Sequence, residues 1–191
     1  MQRVNSVDIL PLSKNKIQQK KIFNFYTLKN GSKISCHGRP KQSDIKRLKE
    51  DYKVNYILTI QHEKENPKII EKYTKEIGDI YWHNLPLTGA NMAIFMNKNV
   101  QKMIIDNIIF ILNYMKKDKI VLFMHCAAGI HRTGTILYTI LRLCGESIES
   151  ALEAIKLIRI DTFRKCGENR FKYAEEFLVK PLLKIINEEK K

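Results

Sequence analysis

Ile120-Val121-Leu122-Phe123-Met124-His125-Cys126-Ala127-Ala128-Gly129-Ile130-His131-Arg132-Thr133-Gly134 runs from five apolar residues into a small-residue turn with a cysteine near its start and an arginine near its end. Residues 120–124 read as a buried strand. Residues 133–143 read as a helix, with Ile136, Leu137, Ile140, Leu141 and Leu143 at helical spacing. The turn is therefore placed at a helix N-terminus, where unpaired N–H groups and a partial positive charge favour an anion. Ala127, Ala128 and Gly129 are small enough for successive backbone N–H groups, on through Ile130 and His131, to turn inward on one phosphate. The same field, with Arg132 beside it, favours the Cys126 thiolate. Arg132 supplies a planar fork that can grip two phosphate oxygens, a geometry lysine lacks. Thr133 places a hydroxyl where it can donate to the sulfur, and His125 is read as orienting the turn from behind.

These residues resemble the H-C-x5-R-[ST] signature of the cysteine-dependent protein tyrosine phosphatase superfamily, and the small basic chain looks most like its dual-specificity members. Looser similarity runs from Gly38-Arg39-Pro40 through Ile57-Leu58-Thr59 to Phe177. The resemblance implies a phosphocysteine intermediate at Cys126, phosphate held by the loop and Arg132, and no metal or other cofactor. It also implies a mixed sheet flanked by helices.

The chain departs from that pattern after the strand expected at residues 80–85. Relatives carry there an aspartate that protonates the leaving oxygen, whereas this chain has Thr88 and Gly89. Asp79 precedes the strand and is expected at its opposite end, and His83 alternates with core positions. Glu63 and Glu65 follow the strand ending at Ile60 and can approach the site, because parallel strands gather their C-terminal ends. Glu63 is the chosen candidate for the acid. Lack of an acid favours leaving groups that are weak bases, such as aryl phosphates and phosphoanhydrides.

Residues 23–28 and 33–36 read as a hairpin around Asn30-Gly31. Ser43 reads as the N-cap of a helix over 44–52. A buried strand follows at 54–60, a helix at 67–77 and a long helix at 97–115. Ser147 caps a helix with Ala151, Ala154, Ile155 and Ile158 on one face. A last helix starts near Glu168, interrupted or kinked near Pro181. Strands alternating with helices make an α/β domain with a central mixed sheet, the phosphate-binding loop lying between a buried strand and a helix N-terminus.

A chain of 191 residues, 44% hydrophobic and 28% charged, suits a single domain over 1–191. No run approaches the ~20 apolar residues of a membrane span, and no C-terminal cysteine motif marks a lipid anchor. The expected location is cytoplasmic, with nuclear access open. Cys36, Cys126, Cys144 and Cys166 lack metal-ligand spacing. Cys36 and Cys166 are candidates to resolve an oxidised Cys126. A net charge of +14 attracts polyanions, whether phosphoproteins, RNA 5′ ends or inositol phosphates. Because the lysines are dispersed, the charge does not choose among them. Lys14-Asn15-Lys16 and Lys20-Lys21 mark a candidate basic arm over 1–21. Arg39, Arg164, Asn169 and Arg170 are further candidate contacts, each with a plain structural alternative.

The reading that follows is a phosphatase acting on phosphotyrosine, with or without phosphothreonine, in a phosphorylated protein partner. The alternatives are an RNA 5′-triphosphatase or inositol polyphosphate phosphatase and, outside enzymes, a phosphate-reading interaction module. His131 recurs in members acting on inositol pyrophosphates, while Ala127, Ala128 and Ile130 do not supply the lysines expected for highly charged lipid headgroups.

Overall fold

In the computed structural model, which describes residues 21–89 and 91–188, two strands buried along almost their whole length form the centre of the molecule. β3 (Tyr56–Thr59) has all four residues buried, and β5 (Val121–Cys126) has only Val121 partly exposed. Strands covered on both faces need apolar residues in nearly every position, which is why these runs show little alternation. They pair in parallel, Tyr56 opposite Leu122 and Thr59 opposite His125. β2 (Lys33–Gly38) pairs in parallel with the other edge of β5, and β4 (Tyr81–Asn84) pairs in parallel with β3. A short β1 (Tyr26–Thr27) completes the order β1-β2-β5-β3-β4, antiparallel to β2. The sheet is mixed, as expected.

Alternate residues of the central strands feed two cores. Ile57 and Phe123 face α1 (Gln42–Glu50) and α2 (Lys68–Ile77), through Ile45, Leu48 and Ile70. Tyr56, Leu58, Leu122, Met124 and Cys126 face the larger core. That core is closed by α3 (Lys98–Lys117), α4 (His131–Leu143), α5 (Ile148–Ile158), α6 (Ile160–Cys166), α7 (Glu168–Ala174) and α8 (Lys180–Glu188). α4 lies at the heart of it, with every residue from Arg132 to Leu141 buried.

Several local expectations are corrected. Ser43 lies inside α1; Lys41 is the N-cap, and the Asp44 carboxylate caps its backbone N–H at 3.0 Å. Ser147 caps α5 as expected, accepting from the Ser150 N–H, and Asn97, read as the first residue of α3, is its N-cap, accepting from the N–H groups of Asn99 and Val100. The strand expected over 23–28 forms only at Tyr26–Thr27. The last helix is interrupted near Pro181, as expected, although the proline itself sits inside the first turn of α8. The misfit is absorbed just upstream by a π-turn, Glu175–Val179. Proline offers no N–H to a carbonyl in the preceding turn, and a widened turn accommodates that loss without ending the helix. α6 was not anticipated. Of the candidate arm, residues 1–20 lie outside the described residues, whereas Lys21 is tied to α1 by an ion pair with Asp44 at 2.7 Å. Among the described residues, no helix is long and apolar enough to cross a membrane.

Gly134, in the first turn of α4, packs against α6. A Cβ there would stand 2.7 Å from the Cys166 sulfur and 3.0 Å from its Cβ. Gly134→Val is therefore expected to destabilise the protein by about 1–3 kcal/mol through overpacking. In urea melts, Cys166→Ala in the same chain should recover part of that loss. An unchanged midpoint for Gly134→Val would contradict the packing described.

Candidate active site

Parallel pairing puts the C-terminal ends of β2, β5, β3 and β4 along one edge of the sheet, the edge at which ligands of such sheets bind. Each strand delivers one element there. β5 ends in Cys126 and the 127–130 loop, β2 in Arg39, β3 in the turn carrying Glu65, and β4 in Leu87.

The loop's conformation is dictated by where its carbonyls go. The Cys126 carbonyl accepts from His125 Nδ1 at 3.1 Å, and that of Ala127 accepts from the Arg39 backbone N–H at 3.0 Å. The Ala128 carbonyl accepts from Arg159 Nη1 at 3.0 Å. The Gly129 carbonyl accepts from Arg159 Nη1 at 2.8 Å and from the Thr162 hydroxyl at 2.7 Å. Four consecutive carbonyls are thus held away from the loop's centre. The peptide N–H groups opposite them turn toward the Cys126 side, and the Gly129 N–H donates to Sγ at 3.3 Å. Gly129 is obligatory in this turn: its φ is +69°, and a Cβ would fall 2.1 Å from the His37 carbonyl carbon and oxygen.

Burial alone would raise the Cys126 thiol pKa. It is outweighed by the Thr133 hydroxyl and by the backbone N–H groups of Thr133, Ile130 and Gly129, which together hold the thiol below its usual value. The Thr133 hydroxyl is buried and has no other hydrogen-bond partner, so its proton is available to the sulfur. The nearby thiols behave in the opposite way, because burial pushes Cys36 up to about 11 and Cys166 up to about 12. Cys36 contacts the Thr162 hydroxyl and Cys166 the His131 carbonyl, each at 3.7 Å. Cys144 lies at the far end of α4.

His125 is fully buried, and burial pushes its pKa down to about 4. Only one proton arrangement satisfies its neighbours. Nδ1–H must donate to the Cys126 carbonyl, so Nε2 accepts from the Thr59 hydroxyl at 2.9 Å. The Thr59 oxygen in turn accepts from Trp82 Nε1–H at 2.9 Å. A chain of hydrogen bonds thus crosses from β4 through β3 to the loop, with a neutral imidazole as its middle link.

Arg132 is almost wholly buried, at 8% exposure, and makes a two-pronged ion pair with Glu65. Nη1 meets Oε2 at 2.5 Å and Nη2 meets Oε1 at 2.8 Å. Nη1 also donates to the Leu87 carbonyl at 3.0 Å. A guanidinium has five N–H donors, and these contacts use three. The remaining Nε–H and Nη2–H form the side-on edge that suits two phosphate oxygens. Hydrogen bonding to Arg132 is also the main reason the Glu65 carboxyl lies below its usual range. Arg39 holds the Glu65 turn in place, donating to the Glu65 and Asn66 carbonyls at 2.8 and 2.5 Å.

Glu65, rather than Glu63, therefore meets Arg132. Glu63 is exposed in the same 3₁₀ turn. Asp79 is at the opposite end of β4 and pairs with Lys49 at 3.0 Å. His83 is bound to Asn107 of α3 at 2.7 Å and stacks on Phe110. His131 turns its Nε2 to the Lys165 carbonyl of α6 at 3.1 Å. Ala127 and Ala128 are exposed at the mouth of the loop, and Ile130 is partly exposed. Arg164 and Asn169 are exposed on α6 and α7, and Arg170 lies on α7. Among the described residues, no three His, Cys, Asp or Glu side chains gather as metal ligands would.

Sequence reasoning missed Arg159 and Thr162 and gave Arg39 and Glu65 no definite role. Their signal is weak because all four act across the fold. Thr133→Val, which deletes a hydroxyl that lowers the Cys126 pKa, is expected to move the pH dependence of Cys126 alkylation by iodoacetamide to higher pH. An unshifted profile would remove Thr133 from the electrostatics of the sulfur.

The tyrosine phosphatase family model matches residues 36–153, which include both ends of this site. No curated protein matches the sequence significantly. Among solved structures, the catalytic core of the PP-IP phosphatase SIW14 from S. cerevisiae aligns with a TM-score of 0.61 at 18% identity, covering 87% of this chain and 92% of that one. Kinase-associated phosphatase aligns with a TM-score of 0.59 at 15% identity, covering 86% and 98%. PTPMT1 aligns with a TM-score of 0.57 at 19% identity, covering 86% and 99%. At such identities these likenesses concern the fold, and the family assignment rests on the sequence match: the chain belongs to the tyrosine phosphatase family, within the cysteine-dependent phosphatase superfamily.

Proposed function

We propose that the protein hydrolyses phosphate monoesters through a phosphocysteine at Cys126, with phosphotyrosine of proteins, alone or with phosphothreonine, as its substrate class. The observation that carries this reading is the pairing of a pKa-lowered, loop-enclosed thiol with an arginine that keeps Nε–H and one Nη2–H out of its bonds to Glu65 and Leu87 and interacts with that thiol. The phosphoryl group would sit on the loop N–H groups, with two oxygens on Nε–H and Nη2–H of Arg132. The Cys126 thiolate attacks phosphorus in line, the S–P bond forms, and the P–O bond to the leaving group breaks. Negative charge on the equatorial oxygens is met by donors already in place, which is where such sites lower a barrier. Water then attacks phosphorus, the S–P bond breaks, and the Thr133 hydroxyl supports the departing thiolate as inorganic phosphate leaves.

The leaving oxygen is the weak point. Residues 86–99 contain no aspartate or glutamate. Glu65 is held as a carboxylate by Arg132 and is poorly suited to donate a proton. An aryl oxygen departs with little help, whereas an alkoxide needs an acid worth about 10²–10⁴ in rate. The same observation favours a second reading, cleavage of a phosphoanhydride. The likeness to a fold described as a PP-IP phosphatase gives that reading a concrete candidate, an inositol pyrophosphate. A terminal phosphate on RNA belongs to the same chemical class.

Arg132→Lys keeps the charge but loses the planar fork, and kcat/KM on an aryl phosphate is expected to fall by about 10²–10³-fold. Near-normal turnover would contradict the role given to the guanidinium. Across a series of substituted aryl phosphates, kcat/KM should fall steeply as the leaving-group pKa rises. A flat dependence would reveal an acid, and its loss in Glu63→Gln would identify that acid as Glu63.

A further inference from the structure

A well-formed cavity lies away from Cys126, at the other end of α4. It measures about 260 Å³, slightly below the ~300–1,000 Å³ of typical small-molecule pockets. Leu28 from the β1–β2 hairpin, Ile109, Leu112 and Met115 from α3, Leu143 from α4 and Ile186 from α8 form an apolar interior. Its polar groups are Lys29, Asn30, Asn113 and Lys116, so every charged residue lining it is a cation. Asn30 is committed to the fold, donating to the Met115 carbonyl and accepting from the Ser32 N–H. Lys29 spends one donor on the Gly145 carbonyl at 3.1 Å, and Lys116 makes only a long 3.4 Å contact to Asn113. Both ammonium groups keep donors for a ligand.

An apolar interior with two lysines at its polar side, and no carboxylate among the described residues that line it, Glu146 lying behind Cys144, is the complement of one molecular type: a single alkyl chain ending in an anion. We propose that this cavity is a binding site for a free, monomeric medium-chain carboxylate. The chain fills the space between Leu28, Leu112 and Leu143, and the carboxylate pairs with Lys29 and Lys116. Burial of the chain supplies most of the affinity, and the lysines choose the sign of the head group.

Cys144 lines the same cavity and is the most accessible cysteine, since Cys36, Cys126 and Cys166 are buried. It is therefore a reporter. Burial raises its thiol to about 11, so labelling is read at alkaline pH. The experiment follows N-ethylmaleimide modification of the full chain at pH 9, peptide by peptide, with decanoate kept below its micelle concentration. Decanoate is expected to slow labelling of Cys144 at least fivefold and to leave Cys126 unaffected. Decylamine, with the same chain and the opposite charge, should not protect. Lys116→Glu, at the surface of α3, and Lys29→Glu, on the hairpin, should each abolish protection while leaving the melting temperature near that of the parent. No protection by decanoate, equal protection by decylamine, or undiminished protection in both variants would overturn the proposal. Protection by anionic phospholipid vesicles but not by decanoate would overturn it as well, because it would indicate a membrane surface as the occupant.

Discussion

Four adjacent carbonyls, those of Cys126, Ala127, Ala128 and Gly129, all bond outward, and the site depends on that arrangement. A peptide unit is rigid and planar, so fixing a carbonyl on one side fixes the N–H on the other. Held in this way, the loop keeps its donors oriented before any ligand arrives, which is the preorganisation that makes electrostatic stabilisation effective. The donors that enforce it come from four places: His125 on β5, Arg39 after β2, Arg159 before α6, and Thr162 within α6. The loop is therefore an expression of the whole fold.

The same logic extends to the charges. Arg132 is buried, and a buried guanidinium needs partners or it destabilises the protein. Glu65 and the Leu87 carbonyl supply them and fix the plane of the guanidinium. The cost of the arrangement is an acidic residue committed to Arg132 close to where the reaction is proposed to need a proton. Neutral His125 adds no competing positive charge behind the loop. It acts as a link through Thr59 to Trp82, so the outer strand β4 helps to set the position of the loop carbonyl.

What could be read in the sequence follows the range of the interactions. Cys126, Arg132, Thr133 and His125 lie within nine residues, and strand, turn and helix there are dictated by local spacing, so the β5–α4 unit was legible. The sheet class followed from the alternation of elements. Glu65 meets Arg132 across 67 positions, and Arg159 meets Ala128 across 31, so only the folded chain brings them together. At α1, Ser43 was a sound N-cap by composition, but Asp44 capping Lys41 moved the helix start. At Pro181 the sequence showed a helix breaker, and the interruption takes the form of a π-turn upstream, with Leu178 and Val179 buried in it. The leaving-group acid stayed unassigned because the sequence offers none at the family's position and the described carboxylates are engaged elsewhere or exposed.

The account stands on covalent chemistry at one sulfur. Its most direct test is rapid denaturant quenching of the full-length protein during turnover of an aryl phosphate, followed by peptide mapping of the phosphoryl group at neutral to alkaline pH, where a thiophosphate ester survives. The expected result is a phosphoryl group on the peptide containing Cys126, absent in Cys126→Ser. Phosphorylation at Cys36, Cys144 or Cys166, or undiminished turnover in Cys126→Ser, would contradict the account.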